Sequence, residues 1–132
     1  MPSLRNNVSQ QPKNGILFNH RSMTSAGTRK LDLINDEVMI QDYVEYHKRV
    51  WPEILQQIKD TGVKAMEIYR VLDRLFMIME TTPEFSLLEK QKKDASDPKV
   101  QEWETLMAKY QKALPCARPG EKWVLMEKIF KL

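Results

Sequence analysis

The chain has 132 residues and a mass of 15.6 kDa, which is the size of one ordinary domain. No apolar run approaches the roughly 20 residues of a membrane-spanning helix, and the single cysteine, Cys116, excludes a disulfide framework and a cysteine-based metal site. Because His20 and His47 are the only histidines, a zinc site of His and Cys ligands is excluded as well. We therefore expect neither a bound metal nor a membrane partner.

The formal net charge of +3 is concentrated at the start of the chain. Residues 1–30 hold five basic side chains and no acidic one, whereas 16 basic side chains are set against 18 acidic ones from Leu31 onward. The isoelectric point of about 9.0 therefore comes from the leading segment, because the rest of the chain is close to neutral. No nucleic acid partner is expected from this distribution.

Residues 1–28 are rich in Ser, Asn, Gln and Thr, which predicts a disordered or weakly structured N-terminal extension. They lack the apolar core of a secretory signal, so we expect a cytoplasmic protein. A leading segment that is rich in Arg and Ser and free of acids also has the composition of a weak mitochondrial transit peptide, which leaves a mitochondrial location as the alternative. The folded domain is predicted to span residues 29–132.

The first elements of this domain are a strand and a long helix. Leu31 and Leu33 alternate with polar neighbours, which predicts a short strand. Apolar or aromatic residues then recur at helical spacing and predict an amphipathic helix; they are Ile40, Val44, His47, Trp51, Ile54 and Ile58. Gly62 is expected to end this helix, and Pro52 is expected to kink it or to divide it into two abutting helices.

The next elements are two strands, over residues 65–71 and 75–80, with a link between them that is short enough for a hairpin. The segment 82–84, Thr-Pro-Glu, has the residue types of an N-cap, a first helical proline and a first-turn acid. It therefore predicts a helix that runs to about Ala95. Asp97, followed by a proline, repeats this pattern and predicts another helix.

A final strand is predicted over residues 122–130, so the element order is β-α-β-β-α-β with the second helical region in two parts. This order is typical of the ferredoxin-like α+β fold, an antiparallel sheet with helices packed on one face. A domain of roughly 100 residues has a small core. The uncovered sheet face is therefore expected to be buried against a second copy, giving a homodimer of the dimeric α/β-barrel type.

The stretch that is most informative about function holds three rings, those of Tyr43, His47 and Trp51, at spacings that project from one side of a helix. An imidazole within an apolar stripe needs a partner or a polar cavity. Composition alone favours a hydrogen-bonded core histidine over a catalytic one, and Trp103 is by the same reasoning a core residue before it is a sugar platform. Cys116 has no base near it in the sequence, so no redox role is expected.

Residues 42–54, Asp-Tyr-Val-Glu-Tyr-His-Lys-Arg-Val-Trp-Pro-Glu-Ile, resemble the Tyr-x-x-x-His-x-x-x-Trp-Pro-Glu motif of the L-rhamnose mutarotase family. Support comes from residues 67–69, 75–80 and 100–103, and the resemblance runs from about residue 30 to the C-terminus. It implies a βαββαβ dimer that interconverts the α and β anomers of a 6-deoxy-L-hexose, L-rhamnose or L-fucose, without a cofactor.

The resemblance also implies roles for individual residues. The family's histidine that matches His47 is the acid/base residue, and the residues that match Tyr43 and Trp103 face the sugar. Two further sugar-facing positions differ from the rhamnose pattern: Met66 stands where a tyrosine is usual, and Glu104 replaces the second residue of a Trp-Trp pair. Because a polar pocket discriminates hydroxyl orientation, these differences bear on the preferred sugar, and the pattern is similar to branches linked with L-fucose.

Mutarotation requires one group that takes the proton of the anomeric hydroxyl and one that protonates the ring oxygen. An imidazole exists in both protonation states near neutral pH, so His47 is the predicted acid/base residue, with Tyr43 or Glu104 as its counterpart. Two alternatives stay open because a fold does not fix a function. They are a cofactor-free oxygenase and a non-catalytic interaction dimer of the same fold.

Overall fold

The computed structural model describes residues 26–132. Nine elements follow one another in this range: β1 (Ala26–Leu33), α1 (Glu37–Lys48), α2 (Pro52–Asp60), β2 (Val63–Val71), β3 (Arg74–Thr81), α3 (Leu87–Ser96), α4 (Pro98–Ala108), β4 (Gln111–Lys112) and β5 (Val124–Leu125). Residues 1–25, which make up most of the predicted N-terminal extension with its mitochondrial alternative, lie outside the described residues. None of the helices in residues 26–132 is long and apolar enough to cross a membrane.

The strands form one antiparallel sheet in the order β2-β3-β1-β4, and β5 pairs with β1 as well. β4 pairs with the end of β1 at Leu33, and β5 pairs with it near Arg29, so the two short strands share one edge of β1. This arrangement confirms the predicted ferredoxin-like α+β fold. Among the described residues the sheet is open and does not close into a barrel.

The helices cover one face of this sheet. Leu31, Leu33 and Leu75 point to the covered face and are at most 1% exposed. Because side chains alternate along a strand, their neighbours point to the outer face. Large apolar groups remain exposed there, with Tyr69 at 52% and Ile78 at 45%. The outer face of the single chain is therefore partly apolar and uncovered by its own helices.

The predicted division of the first helix is confirmed. α1 ends at Lys48 and α2 begins at Pro52, whose missing N–H is harmless at the first position of a helix. The side chain of Asp36 caps α1 by accepting from the backbone N–H of Met39 at 3.0 Å. Gly62 follows α2 with a φ of 98°, a left-handed conformation that favours glycine, so the predicted helix end is confirmed as well.

The predicted helix start at residues 82–84 is wrong. α3 begins at Leu87, and Ser86 is its N-cap, accepting from the backbone N–H of Glu89 at 3.2 Å. The reason lies in Phe85, which closes a backbone turn and buries its ring in a hydrophobic cluster. This tertiary contact outweighs the local preference for a helix start one turn earlier.

The start of α4 is as predicted. The side chain of Asp97 accepts from the backbone N–H groups of Lys99 and Val100, at 2.9 and 3.3 Å, and a proline occupies the first helical position. The helix buries Trp103 and Met107. Trp103 is therefore a core residue, as the sequence favours.

The predicted final strand over residues 122–130 is wrong in extent, because only Val124–Leu125 is paired. β4, which the sequence does not predict, occupies the other part of the same edge of β1. The backbone N–H of Met126 still donates to the carbonyl oxygen of Thr28, near the start of β1. Within residues 26–132 no strand partner follows, and the side chains of Ile129 and Phe130 are exposed.

Candidate active site

The main hydrophobic cluster, which we call the ring cluster, is rich in aromatic side chains. Tyr43 of α1 and Trp103 of α4 are buried in it, and Tyr46, Trp51 and Tyr110 pack against it from its edge. The centroids of Trp51 and Trp103 are 5.1 Å apart in an edge-to-face arrangement. α1, α4 and the segments beside them thus bring together several aromatic faces of the kind that cover apolar faces of ligands.

His47 lies in the ring cluster one helical turn after Tyr43. Its ring centroid is 4.5 Å from that of Tyr43 and 5.8 Å from that of Trp103. The Nδ1 atom is 2.9 Å from the backbone carbonyl oxygen of Tyr43. Because a carbonyl oxygen only accepts, Nδ1 must donate, and the neutral ring then carries its lone pair on Nε2. The helix itself thus sets the tautomer in which Nε2 is available as a base.

The hydroxyl of Tyr43 is buried with the ring and accepts a hydrogen bond of 3.2 Å from Nε2 of Gln111. Burial raises the pKa of this phenol; the bond from Gln111 acts in the opposite direction, and the charge of Glu104 raises the pKa further. The phenol is therefore protonated at neutral pH. Its ring lies beside the imidazole of His47, with the two ring centroids 4.5 Å apart.

Glu104 and Lys122 form an ion pair at the edge of the ring cluster. The Nζ atom of Lys122 lies 2.9 Å from Oε1 of Glu104 and 3.1 Å from its backbone carbonyl oxygen. The two side chains are 46% and 35% exposed, so solvent screens their interaction. The pair ties α4 to the segment before β5.

The structure brings together four of the five site residues that the sequence predicts: Tyr43, His47, Trp103 and Glu104. The fifth, Met66 on β2, packs against a second cluster, formed by Val63, Met79 and Phe85. Its contact with a sugar stays a prediction.

Two polar residues of the site, Gln111 and Lys122, are missed by the sequence analysis. Gln111 lies on β4, a strand of two residues, which is too short to show an alternating pattern. Lys122 falls in the stretch predicted as the final strand, where its charge gives no sign of a partner on α4. Neither long-range contact has a local sequence signal.

A groove of about 450 Å³ opens beside the ring cluster and is lined by Asp42, Glu45, Tyr46, Arg49, Trp51 and Tyr110. Its lining combines aromatic faces with charged groups, and none of the five predicted site residues is part of that lining. Among the described residues, no group of three or more His, Cys, Asp or Glu side chains is placed to hold a metal ion.

Residues 28–132 match the sequence profile of the L-rhamnose mutarotase family. An L-fucose mutarotase of Xanthomonas campestris is 41% identical over 104 residues, which cover 77% of this chain and 83% of that protein. A UPF0734 protein of Dictyostelium discoideum is 36% identical over 106 residues, with 77% and 85% covered. The crystal structure of an L-rhamnose mutarotase from Formosa agariphila has the same fold, with a TM-score of 0.60 and 23% identity over 81% of this chain and 97% of that one.

Proposed function

Because the chain belongs to the L-rhamnose mutarotase family, we propose that it interconverts the α and β anomers of 6-deoxy-L-hexoses by acid/base catalysis, with L-fucose as the preferred sugar. The chain is an isomerase of the mutarotase type. The observation that carries the proposed mechanism is the geometry of His47, whose Nδ1 donates to a backbone carbonyl and leaves Nε2 available beside a protonated phenol.

In the proposed reaction, Nε2 of His47 takes the proton from the anomeric hydroxyl while Tyr43 gives its proton to the ring oxygen. The bond between C1 and the ring oxygen breaks, and the open sugar carries an aldehyde. Rotation about the C1–C2 bond then exposes the other face of the aldehyde. The ring closes by the reverse proton transfers, so both residues regain their starting protonation states.

We assign the acid to Tyr43 and not to Glu104 because of the partners of the two groups. Oε1 of Glu104 already accepts from Nζ of Lys122 in the ion pair, so this side chain is engaged as an acceptor. Burial raises the pKa of the Tyr43 phenol, which keeps its proton in place. Glu104 is proposed to accept a hydrogen bond from a sugar hydroxyl.

The proposed preference for L-fucose has two supports. One is the 41% identity to an L-fucose mutarotase. The other is Glu104, a strong acceptor at a position where the rhamnose pattern has a tryptophan. L-fucose and L-rhamnose differ in hydroxyl orientation at C2 and C4, and polar groups in a site discriminate such differences sharply.

We also propose that the enzyme is a homodimer joined through the outer face of its sheet. The support is the partly apolar character of that face, where Tyr69, Val71 and Ile78 are exposed. A second copy of the same face is self-complementary by two-fold symmetry. Light scattering after gel filtration is expected to give the mass of a dimer for the wild type and of a monomer for Ile78→Glu; a wild-type monomer would contradict the proposal.

The test of the proposed reaction is saturation-transfer proton NMR on the anomeric signals of L-fucose and L-rhamnose, with and without catalytic amounts of protein. We expect faster exchange between the anomers of both sugars, and a larger effect with L-fucose. A larger effect with L-rhamnose would overturn the sugar preference alone. If folded protein accelerated neither sugar, the proposed reaction would be wrong, and the oxygenase and non-catalytic alternatives would be tested next.

A further inference from the structure

Arg29 is a charged residue on the covered face of the sheet, where it precedes Leu31 and Leu33 in the alternation of β1. It is only 6% exposed, and no acceptor bonds to its Nη1 or Nη2 atom among residues 26–132. Burial lowers the pKa of the guanidinium, which nevertheless keeps its proton. A buried charge is normally paired because its lost hydration must be offset. The unpaired guanidinium therefore points to an acceptor carried by a ligand.

The strand register places Arg29 between the ring cluster and Met66. Opposite Arg29 on β3 is Met77. Leu75 lies two residues before Met77 and belongs to the ring cluster. Met79 lies two residues after Met77 and belongs to the second cluster. Met66 pairs with Met79 on the adjacent strand. Arg29 thus lies between the parts of the covered face that hold the predicted sugar contacts.

The guanidinium extends from its own backbone position toward this second cluster. It lies over Gly27, which is paired with Met79 in the sheet. A Cβ atom at Gly27 would be 2.8 Å from Nη1 of Arg29, closer than such atoms approach. The missing side chain at Gly27 therefore leaves the space that the guanidinium occupies, with β3 between it and Met66.

We propose that Arg29 binds the sugar and donates hydrogen bonds from Nη1 and Nη2 to its hydroxyl oxygens. The inference rests on the proposed function and extends the site from the ring cluster to Met66, where a methionine supplies no hydroxyl partner. Hydrogen bonds from a charged donor in a water-poor site are strong, and two terminal nitrogens fit two neighbouring sugar oxygens.

The main test compares Arg29→Met with the wild type. We expect kcat/KM for L-fucose to fall about tenfold to 100-fold, the loss typical of hydrogen bonds to a charged group. The melting temperature is expected to stay or to rise, because the variant removes a buried charge that has no partner in the free protein. The matched control is Arg70→Met, an exposed arginine of β2, which should keep the wild-type kcat/KM.

A second variant, Gly27→Ala, keeps the charge and displaces the guanidinium. It should lower kcat/KM in the same direction as Arg29→Met, and Arg29→Lys should recover part of the loss. These two variants decide the matter if Arg29→Met does not fold. Unchanged kcat/KM in folded Arg29→Met, with a lower melting temperature, would overturn the inference in favour of a structural role. Wild-type protein without activity on either sugar would instead refute the proposed function.

Discussion

The two polar pairs of the site differ in their surroundings. Tyr43 and Gln111 are joined by a hydrogen bond in the interior, whereas Glu104 and Lys122 form an ion pair of which a third to a half is exposed. A buried group that loses its partner costs about 1–3 kcal/mol, but an exposed ion pair contributes only about 0–1 kcal/mol. The comparison teaches that breaking the buried pair should cost stability, whereas breaking the exposed pair should leave stability nearly unchanged.

The largest loss of activity is expected from substitution of His47, which lies beside the buried pair. His47→Ala removes the group that is proposed to take the anomeric proton, and general acid/base catalysis of this kind contributes about 10²- to 10⁴-fold. Saturation-transfer NMR should therefore show anomer exchange close to the uncatalysed rate. Added imidazole is expected to restore part of the activity. An exchange rate equal to that of the wild type would remove His47 from the mechanism.

The second test breaks the buried pair itself. Tyr43→Phe removes the proposed acid and leaves the amide of Gln111 without its partner, so we expect a lower kcat and a loss of about 1–3 kcal/mol in the free energy of unfolding. The double variant Tyr43→Phe/Gln111→Met should recover stability in urea unfolding without recovering kcat. If the double variant recovered kcat as well, the phenol would have no chemical role.

The third test uses pH. Burial raises the pKa of the Tyr43 phenol above its ordinary value of 10.0, and the protonated form is the proposed acid. The contribution of this group to the rate is therefore complete below about pH 10 and is lost as the pH rises through the raised pKa. The rate profile of the wild type should show this alkaline loss only above about pH 10, and the profile of Tyr43→Phe should lack it. An alkaline loss centred below pH 9 that disappears in Tyr43→Phe would contradict the assignment.

The smallest change in stability and rate is expected from breaking the exposed ion pair between Glu104 and Lys122. Lys122→Met should change the free energy of unfolding by no more than about 1 kcal/mol, because solvent screens the ion pair. The ratio of the rates for L-fucose and L-rhamnose should change, because Glu104 loses the ammonium group that holds it. The pH profile should stay close to that of the wild type. Lys92→Met, at an exposed pair on α3, is the matched control and should leave this ratio unchanged. Equal ratios in both variants would exclude the proposed role of the pair in sugar preference.

The parts of the molecule that the sequence predicts depend on local physics. The break at Pro52 and the cap at Asp97 follow from backbone chemistry within one helical turn. Tyr43 and His47 were found because helical spacing places them on one side of α1, and because the family motif includes both. Four of the five predicted site residues depend in this way on helices that the sequence defines well.

The parts that the sequence does not predict depend on contacts between distant segments. The start of α3 is set by the burial of Phe85, and β4 exists because its backbone pairs with the end of β1. Gln111 joins the site only through that pairing, which brings it to Tyr43 across 68 positions of the chain. Arg29 has the alternation of a core position, but its unpaired guanidinium is evident only once the strands are in register.

The hydrogen bond from Nδ1 of His47 to the Tyr43 carbonyl has a consequence for how this enzyme can be changed. Both atoms belong to α1, so the imidazole needs no residue from another element to hold its orientation. The ring cluster also takes side chains from β1, α2, β3 and α4, while β4 and the segment before β5 supply Gln111 and Lys122. Substitutions on α4, on β4 and on the segment before β5 are therefore expected to change the surface around the imidazole without changing the bond that orients it. This makes the small domain a convenient starting point for evolving mutarotases of chosen sugar selectivity.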